Sequence, residues 1–475
     1  MAKIAVVGGG ISGLATAAAI EERAAAAGQS IHVTVVEGDR RLGGKIQSDF
    51  VDGFLCETGP LGFVDNKPPV RVLVEQVGLT SELVPSNDNY SKRYVYVDRR
   101  LQLLPMSPPA AIKTKMISWR GKLRALWELR TKPSEPGKDE SIAEFARRHL
   151  GKEIADKLVS AMVVGVFAGD AEALSVKSCF PVMLELEKEG DGSLIRAQMR
   201  RRKAKRVEAR GPKSEGMVGS GGKLTTFKEG MGQMIARLKS RLKGDVLTGV
   251  PASSVGLEDG RYAVKLTSGE TIVADAVVLA TPAYAAAGML EGLNPDISDL
   301  VDGIPYVPVN VVVSGYDKAG LGHDLEGFGM LVPKREKRGI LGTLFNSSIF
   351  EGQAPEGKVA LRTMIGGAIN PEATKLDDEA TVTLVQKELH DLLGVAADPV
   401  FVRVIRHERA IPQYVLGHGA RMEKIEGLLA GHPGLFLTGN AYRGVGFNDC
   451  VVNAGELAER VLDYLSQART TAGVS

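Results

Sequence analysis

Ile4-Ala5-Val6-Val7-Gly8-Gly9-Gly10-Ile11-Ser12-Gly13 decides the fold. Four apolar residues end abruptly in glycine, and an alanine-rich run follows to about Ala27, the pattern of a strand turning into a helix. Gly8-x-Gly10-x-x-Gly13 supplies the small positions needed for a tight turn, close pyrophosphate approach and close helix packing, with phosphate charge meeting the helix N-terminus near Ile11 and Ser12. Ile31 to Glu37 reads as the next strand, which completes one strand-helix-strand unit. Glu37 lies 24 residues after Gly13, where a carboxylate can accept from a ribose hydroxyl, and this favours an unphosphorylated adenosine ribose. Alone, the fingerprint would also suit an ordinary strand-to-helix turn. Arg41-Leu42-Gly43-Gly44, just beyond Gly38 and followed by Lys45, adds an arginine and a second close-approach turn suited to a dinucleotide diphosphate.

A chain of 475 residues allows two or three domains and a core able to enclose a bulky ligand. Its apolar and charged content excludes disordered, collagen-like and disulfide-scaffold classes. Cys56, Cys179 and Cys450 are far apart, so neither a zinc site nor a disulfide framework is expected, and a reducing compartment fits best. Met1-Ala2-Lys3 runs directly into the first strand, so no export signal is read. No window holds the 18 or more apolar residues of a spanning helix; the richest, Ala276 to Leu290, is broken by Pro282. Net charge is +2, yet Arg196 to Lys213 holds nine basic residues against Glu208 alone.

The expected organisation is α/β: a Rossmann-like dinucleotide domain, a mixed-sheet substrate domain and an inserted helical domain. The dinucleotide domain takes residues 1–89, 219–280 and 431–475, because strand, turn and helix recur from Leu435 through Gly439-Asn440 to Leu465. The insertion takes 90–218, where proline breaks at Pro105, Pro108 and Pro109 precede basic helical segments. Gly211 to Gly222, polar and glycine-rich, reads as a mobile loop or a disordered connection. Strand-like runs Tyr262 to Leu266, Thr271 to Leu279, Val307 to Val313, Gly329 to Val332 and Ala360 to Ile365 require a large mixed or antiparallel sheet, and 281–430 is assigned to substrate.

Glu57-x-Gly59-Pro60 and Gly439-Asn440-Ala441-Tyr442-Arg443-Gly444-Val445-Gly446-Phe447 could each be plain loops, but together they make a coherent site. The first continues into Leu61-Gly62. A glycine-rich turn entering the last helix can set backbone N–H groups beside a ring system that gains negative charge on reduction. With the N-terminal fingerprint and the Arg-x-Gly-Gly turn, these elements resemble the flavin-dependent amine oxidase and protoporphyrinogen oxidase superfamily. The narrower resemblance is to oxygen-dependent protoporphyrinogen oxidases, over nearly the whole chain. It rests on Lys92-Arg93-Tyr94, Gly165-Val166-Phe167-Ala168-Gly169-Asp170, Ser175, Phe180-Pro181, Gly327-Phe328-Gly329-Met330-Leu331-Val332-Pro333 and Ile411-Pro412-Gln413-Tyr414-x-x-Gly417-His418.

The resemblance implies noncovalent FAD, held by the glycine turns together with Ala252 and His407. His407 stands where several relatives carry tryptophan against the flavin. Cys450 lacks the attachment sequence of covalent flavin enzymes, and His418 is read as a packed histidine. For substrate, the resemblance implies a propionate on Arg93, the backbone of Gly165 facing a macrocycle, and Leu331 and Met364 lining the pocket, with Phe328, Phe345 and Phe350 as aromatic wall candidates. These types suit a broad apolar ring edged by carboxylates. The implied chemistry is hydride transfer from a bridging carbon to flavin, reoxidation by oxygen and release of peroxide, with no protein acid or base.

Between Ile112 and Lys132, Lys113, Lys115, Arg120, Lys122, Arg124 and Arg130 interleave with Ile117, Trp119, Leu123, Leu126, Trp127 and Leu129. This basic amphipathic stretch is either a solvated helix face or a dock for anionic lipid, with the protein peripheral on the inner face of the cell membrane and otherwise cytoplasmic. No nucleic acid partner is expected, and a homodimer is a family expectation. Alternatives are a coproporphyrinogen III oxidase, another superfamily enzyme such as an amine oxidase or carotenoid desaturase, and a non-enzymatic module like the Rab escort type proteins.

Overall fold

The computed structural model describes residues 1–135, 137–208 and 222–472. Five parallel strands form the nucleotide sheet, in the order Asp245–Thr248, Ile31–Glu37, Ala2–Val7, Ala276–Leu279 and Leu435–Leu437. Covered on both faces, the central strands read as unbroken apolar runs rather than as alternation. On one face, helices Ile11–Ala26 and Phe447–Ala472 pack through Leu14, Ile20, Ala454 and Val461, with Ala17 and Ala24 within the same core. On the other lie helix Ala283–Leu290 and an antiparallel sheet of Ala252–Glu258, Arg261–Leu266 and Thr271–Ala274.

The run Thr271 to Leu279 is therefore two strands. Thr271–Ala274 pairs antiparallel with Arg261–Leu266, and Ala276–Leu279 pairs parallel with Ala2–Val7. Asp275 marks the switch, accepting from the backbone N–H of Lys3 (2.6 Å) and from Arg261 Nε (2.9 Å).

A seven-stranded sheet runs Phe401–Pro412, Tyr306–Asp317, Lys358–Gly366, Gly342–Leu344, Gly329–Leu331, Arg93–Val97 and Arg100–Leu103. The last two strands, expected within the inserted segment, close one edge of this sheet instead: Tyr94 and Tyr96 pack on its core, while Val95 and Val97 turn to the other face against Met116 and Ala161. Phe401–Pro412 closes the other edge. Arg403, Arg406, His407, Glu408 and Arg409 mask it as a strand in the sequence, as edge strands rich in charge do. Helix Asp378–Leu393 covers one face through Val385, Leu389 and Leu392.

From Pro108 to Glu208 the described chain is helical. Ile142–Leu150 and Ser160–Phe167 share a small core of Phe145, Val163, Phe167 and Leu174. Beside it lies a buried charge cluster. His149 is set between Glu128 (3.0 Å) and Glu187 (3.2 Å), and Arg148 bonds both Glu140 and Glu187. Glu128 also accepts from Ser193 Oγ (2.7 Å) and the N–H of Ile195 (3.2 Å), anchoring the start of basic helix Leu194–Glu208. The glycine-rich 211–222 stretch lies, except for Gly222, outside the described residues. Among those residues, no helix is long and apolar enough to cross a membrane.

Candidate active site

The glycines of the first turn divide into two roles. A Cβ on Gly13 would stand 1.9 Å from the Gly8 carbonyl oxygen, and one on Gly8 would stand 2.8 Å from Ala280 backbone atoms, at a φ of +113°. These two positions let helix, turn and strand touch. At Gly10, Gly44 and Gly439, by contrast, the nearest atoms to an added Cβ are 3.9, 3.8 and 4.0 Å away. The three line an open cradle against the first helix, whose N-terminus has neither a side-chain cap nor an acid in its first turn. Unneutralised N–H groups at a helix start favour a diphosphate. Gly43 seats the second turn on the first, its N–H donating to Gly9 O (2.8 Å).

Around this cradle, the sequence-predicted residues mostly converge. The Glu37 carboxylate accepts from the N–H groups of Gly9 (2.7 Å) and Asp39 (2.9 Å), and keeps lone pairs for a hydroxyl. Val250 N–H donates to Glu37 O (3.1 Å) and Pro251 sits 3.4 Å from an added Gly38 Cβ, which brings Ala252 alongside. Arg41 is engaged elsewhere: it donates to Asp49 (3.0 Å), which Arg403 also reaches (2.7 Å). Burial opposes the Asp49 charge, but these two arginines hold its carboxyl below the usual range. At the C-terminal end, Val445 and Gly446 lead into helix Phe447–Ala472; Phe447 stacks on Phe63 (5.2 Å), and Tyr414 Oη donates to Asn440 O (2.7 Å).

Next to the cradle, residues 57–62 collect two cations and an imidazole. Gly59 allows the backbone to pass Lys45, since an added Cβ would fall 2.2 Å from Lys45 O. Thr58 O lies 2.9 Å from His407 Nε2, and Gly59 O accepts from Arg362 Nη2 (2.6 Å). Burial lowers all three, Lys45 to about 8, Arg362 to about 10 and the His407 imidazole below its ordinary value. Lys45 Nζ stands 5.5 Å from the Tyr306 ring centroid. Burial also raises Glu57 to about 7, although Met231 N–H and Ser48 Oγ donate to it. Burial in this pocket thus disfavours charge of either sign, the Glu57 carboxylate as well as the cations. Sequence reading missed Arg362, whose one signal was a polar interruption in the apolar run Val359 to Ile365.

The substrate-side residues lie along one face of the seven-stranded sheet. Register aligns Leu331, Gly342 and Met364 in a single cross-strand row, and Arg93, Gly329, Leu344 and Arg362 in the next. Opposite residues share a face, so both rows look the same way. Gly165 packs on this surface, an added Cβ falling 2.9 Å from Leu331 Cδ2. Phe328 lies under the Arg93 guanidinium at 4.9 Å, and Phe350 clusters with Leu61, Leu344 and Phe328. Pro60 and Leu61 thus join the cradle to this wall, with Gly62 fitting against Phe350 at 3.4 Å. Phe345 departs from the expected wall. One residue past Leu344 it points through the sheet and is fully buried with Tyr316, Leu325 and Met330.

His418 is a packed histidine, stacked on Tyr414 at 4.2 Å with Nε2 3.3 Å from Tyr442 O. Cys450 is buried in the last helix, and desolvation raises its thiol, which makes it a poor nucleophile. Among the described residues there is no group of side chains able to hold a metal ion.

A parallel sheet carrying two stacked glycine turns, abutting a mixed sheet with an apolar face and cationic margin, defines a dinucleotide-dependent oxidoreductase. Residues 11–462 match the flavin containing amine oxidoreductase family, and the chain belongs to it; its cofactor is FAD. The chain is 30% identical to coproporphyrinogen III oxidase of Bacillus subtilis (strain 168), over 97% of this chain and 98% of that one. It is 32% identical to the chloroplastic protoporphyrinogen oxidase of Oryza sativa subsp. japonica, over 97% and 88%. A crystal structure from Exiguobacterium sp. 255-15, provisionally assigned as a protoporphyrinogen oxidase, superposes with a TM-score of 0.81 at 26% identity, covering 98% of this chain and 99% of that one.

Proposed function

We propose that this flavoenzyme oxidises a porphyrinogen, protoporphyrinogen IX in the first place, with molecular oxygen as electron acceptor. Three two-electron steps remove six hydrogens from the macrocycle, and three oxygen molecules leave as hydrogen peroxide. FAD, held by the glycine cradle, supplies the two-electron acceptor. The observation that carries this reading is the flat row Leu331, Gly342 and Met364 bordered by Arg93, which is exposed and makes no ion pair among the described residues. A propionate fits the paired donors of Arg93, and the macrocycle fits the apolar row. Lys45 and Arg362 lie beside the cradle with the His407 imidazole, and Phe328 bounds the chamber with Phe350 packed behind it. No side chain is assigned as acid or base; the protein binds, orients and excludes water.

A second reading is coproporphyrinogen III, which has four propionates rather than two. It is favoured by Arg362, a second arginine on the same face, fully buried with Nε unpartnered, and by the Bacillus relative. The test is aerobic turnover of both substrates followed by porphyrin fluorescence and peroxide release. Faster protoporphyrinogen oxidation supports the first reading, faster coproporphyrinogen oxidation the second, and turnover of neither rejects both.

The same proposal includes a cytoplasmic-face membrane dock. Trp119 and Trp127 are 71% and 63% exposed, Leu123 and Leu126 share that surface, and Lys113, Lys115, Arg120 and Arg130 surround them. Apolar rings flanked by cations suit an anionic bilayer, and a poorly soluble product would be released into it.

A further inference from the structure

A cavity of about 550 Å³ lies apart from the site just described, sharing no residue with the glycine cradle or with the Leu331, Gly342, Met364 row. Helices Ile142–Leu150 and Ser160–Phe167 form one wall. The basic turn Lys334-Arg335-Glu336-Lys337-Arg338 forms the other. Six lining cations face three lining carboxylates.

Those carboxylates are already engaged. Arg147 pairs with Glu172 and Asp156, Lys152 with Asp156, and Lys334 with Asp170. The surplus falls on the other three cations. Arg335 pairs with Glu336 and shares Asp98 with Lys157, and Arg338 is tied to Glu388 and Asp391; none of these four carboxylates lines the cavity. Lys337 makes no ion pair among the described residues. It also sits in the left-handed region, at φ 50° and ψ 42°, where a lysine is strained. Strain of this kind persists where the surrounding structure imposes it and concentrates at ligand-binding turns. Lys337 lines, together with Arg335 and Arg338, a concave space of ligand size.

We propose that this cavity binds a small multivalent oxyanion, a molecule with two or more carboxylate or phosphate groups. Guanidiniums recognise either group through paired donors, and the exposed pairs Arg147–Glu172 and Arg335–Asp98 are weak enough to exchange for it. The inference does not depend on what the flavin oxidises.

The test is isothermal titration of the FAD-loaded protein with pyrophosphate and with citrate, each at constant ionic strength. Expected is one-to-one binding of at least one probe, weakened tenfold or more by Lys337→Gly and by Arg335→Ala, and unchanged by Arg93→Ala. Lys337→Gly removes the charge while relieving the left-handed turn, so it does not threaten folding; an unchanged flavin spectrum confirms this. Pyrophosphate alone assigns a phosphate ester and citrate alone a polycarboxylate, and either supports the site. Absence of binding by both probes, or binding that survives Lys337→Gly and Arg335→Ala or is lost in Arg93→Ala, overturns it.

Discussion

The nucleotide region and the helical segment from Pro108 to Glu208 are built from different materials. In the first, position depends on atoms that are missing: Gly13 and Gly8 let backbone meet backbone, and Gly10, Gly44 and Gly439 leave room for a ligand. In the second, position depends on charged side chains buried in pairs, with Glu128, His149, Glu187 and Arg148 joining helices that share little apolar core. Steric contact between backbones tolerates no added atom, whereas a charge pair tolerates replacement only if both partners change. The two regions should therefore fail differently.

Gly13→Ala should have the largest effect, with a loss of at least about 3 kcal/mol in folding stability, because no flexible side chain can yield at that contact. Gly10→Ala sharpens the comparison. Its apoprotein should melt within about 1 kcal/mol of the parent, while FAD affinity falls at least about tenfold, a difference of about 1.4 kcal/mol. Equal melting of the two variants would show that the cradle and the packing contact are not separate. In the helical region, Glu128→Ala removes at once the buried acceptor of Ser193 Oγ, Ile195 N–H and the His149 ring, and about 3 kcal/mol should be lost locally. Limited proteolysis near residues 190–208 should accelerate while the flavin spectrum is retained.

A smaller and pH-dependent effect is expected at Glu57. Burial raises its folded pKa to about 7, so between the ordinary carboxylate range and pH 7 the folded state holds a proton that the unfolded state has released. Its contribution to stability is therefore present at low pH and lost as pH rises toward 7. Glu57→Gln should remove that slope, gaining up to about 3 kcal/mol over the parent at pH 8 and nothing at pH 4. Chemical denaturation across pH reads this directly, and parallel profiles would contradict it. Smallest for folding is Trp119→Ala with Trp127→Ala, within about 0.5 kcal/mol of the parent. Sedimentation with anionic vesicles should nevertheless fall sharply, and unchanged sedimentation would remove the membrane dock.

The nucleotide region was legible for the reason that makes it rigid. Backbone proximity demands glycine at fixed spacing, so Gly8, Gly10, Gly13, Gly43 and Gly44 announce the geometry before any coordinates. Side chains facing a ligand leave a fainter trace. Arg93, Leu331 and Met364 were named through resemblance and stand together on one sheet face, but nothing in the local pattern distinguished Phe345, which a single step in register sends to the opposite face. Arg362 was missed because one arginine in an apolar strand has no periodic signature. Strand Phe401–Pro412 was missed because its edge position permits charges that obscure alternation, and the Arg93 strand was misplaced because its partner Gly329–Leu331 lies more than two hundred residues away.

The central claim is that the chamber beside the glycine cradle presents a porphyrinogen to bound FAD. Anaerobic mixing of the holoprotein with protoporphyrinogen IX, coproporphyrinogen III and a primary amine, each followed by the visible flavin band, tests it most directly. Rapid bleaching by a porphyrinogen, slowed in Arg93→Ala, with the amine inert, is the predicted result. A flavin that stays yellow with both porphyrinogens and bleaches with the amine would contradict it.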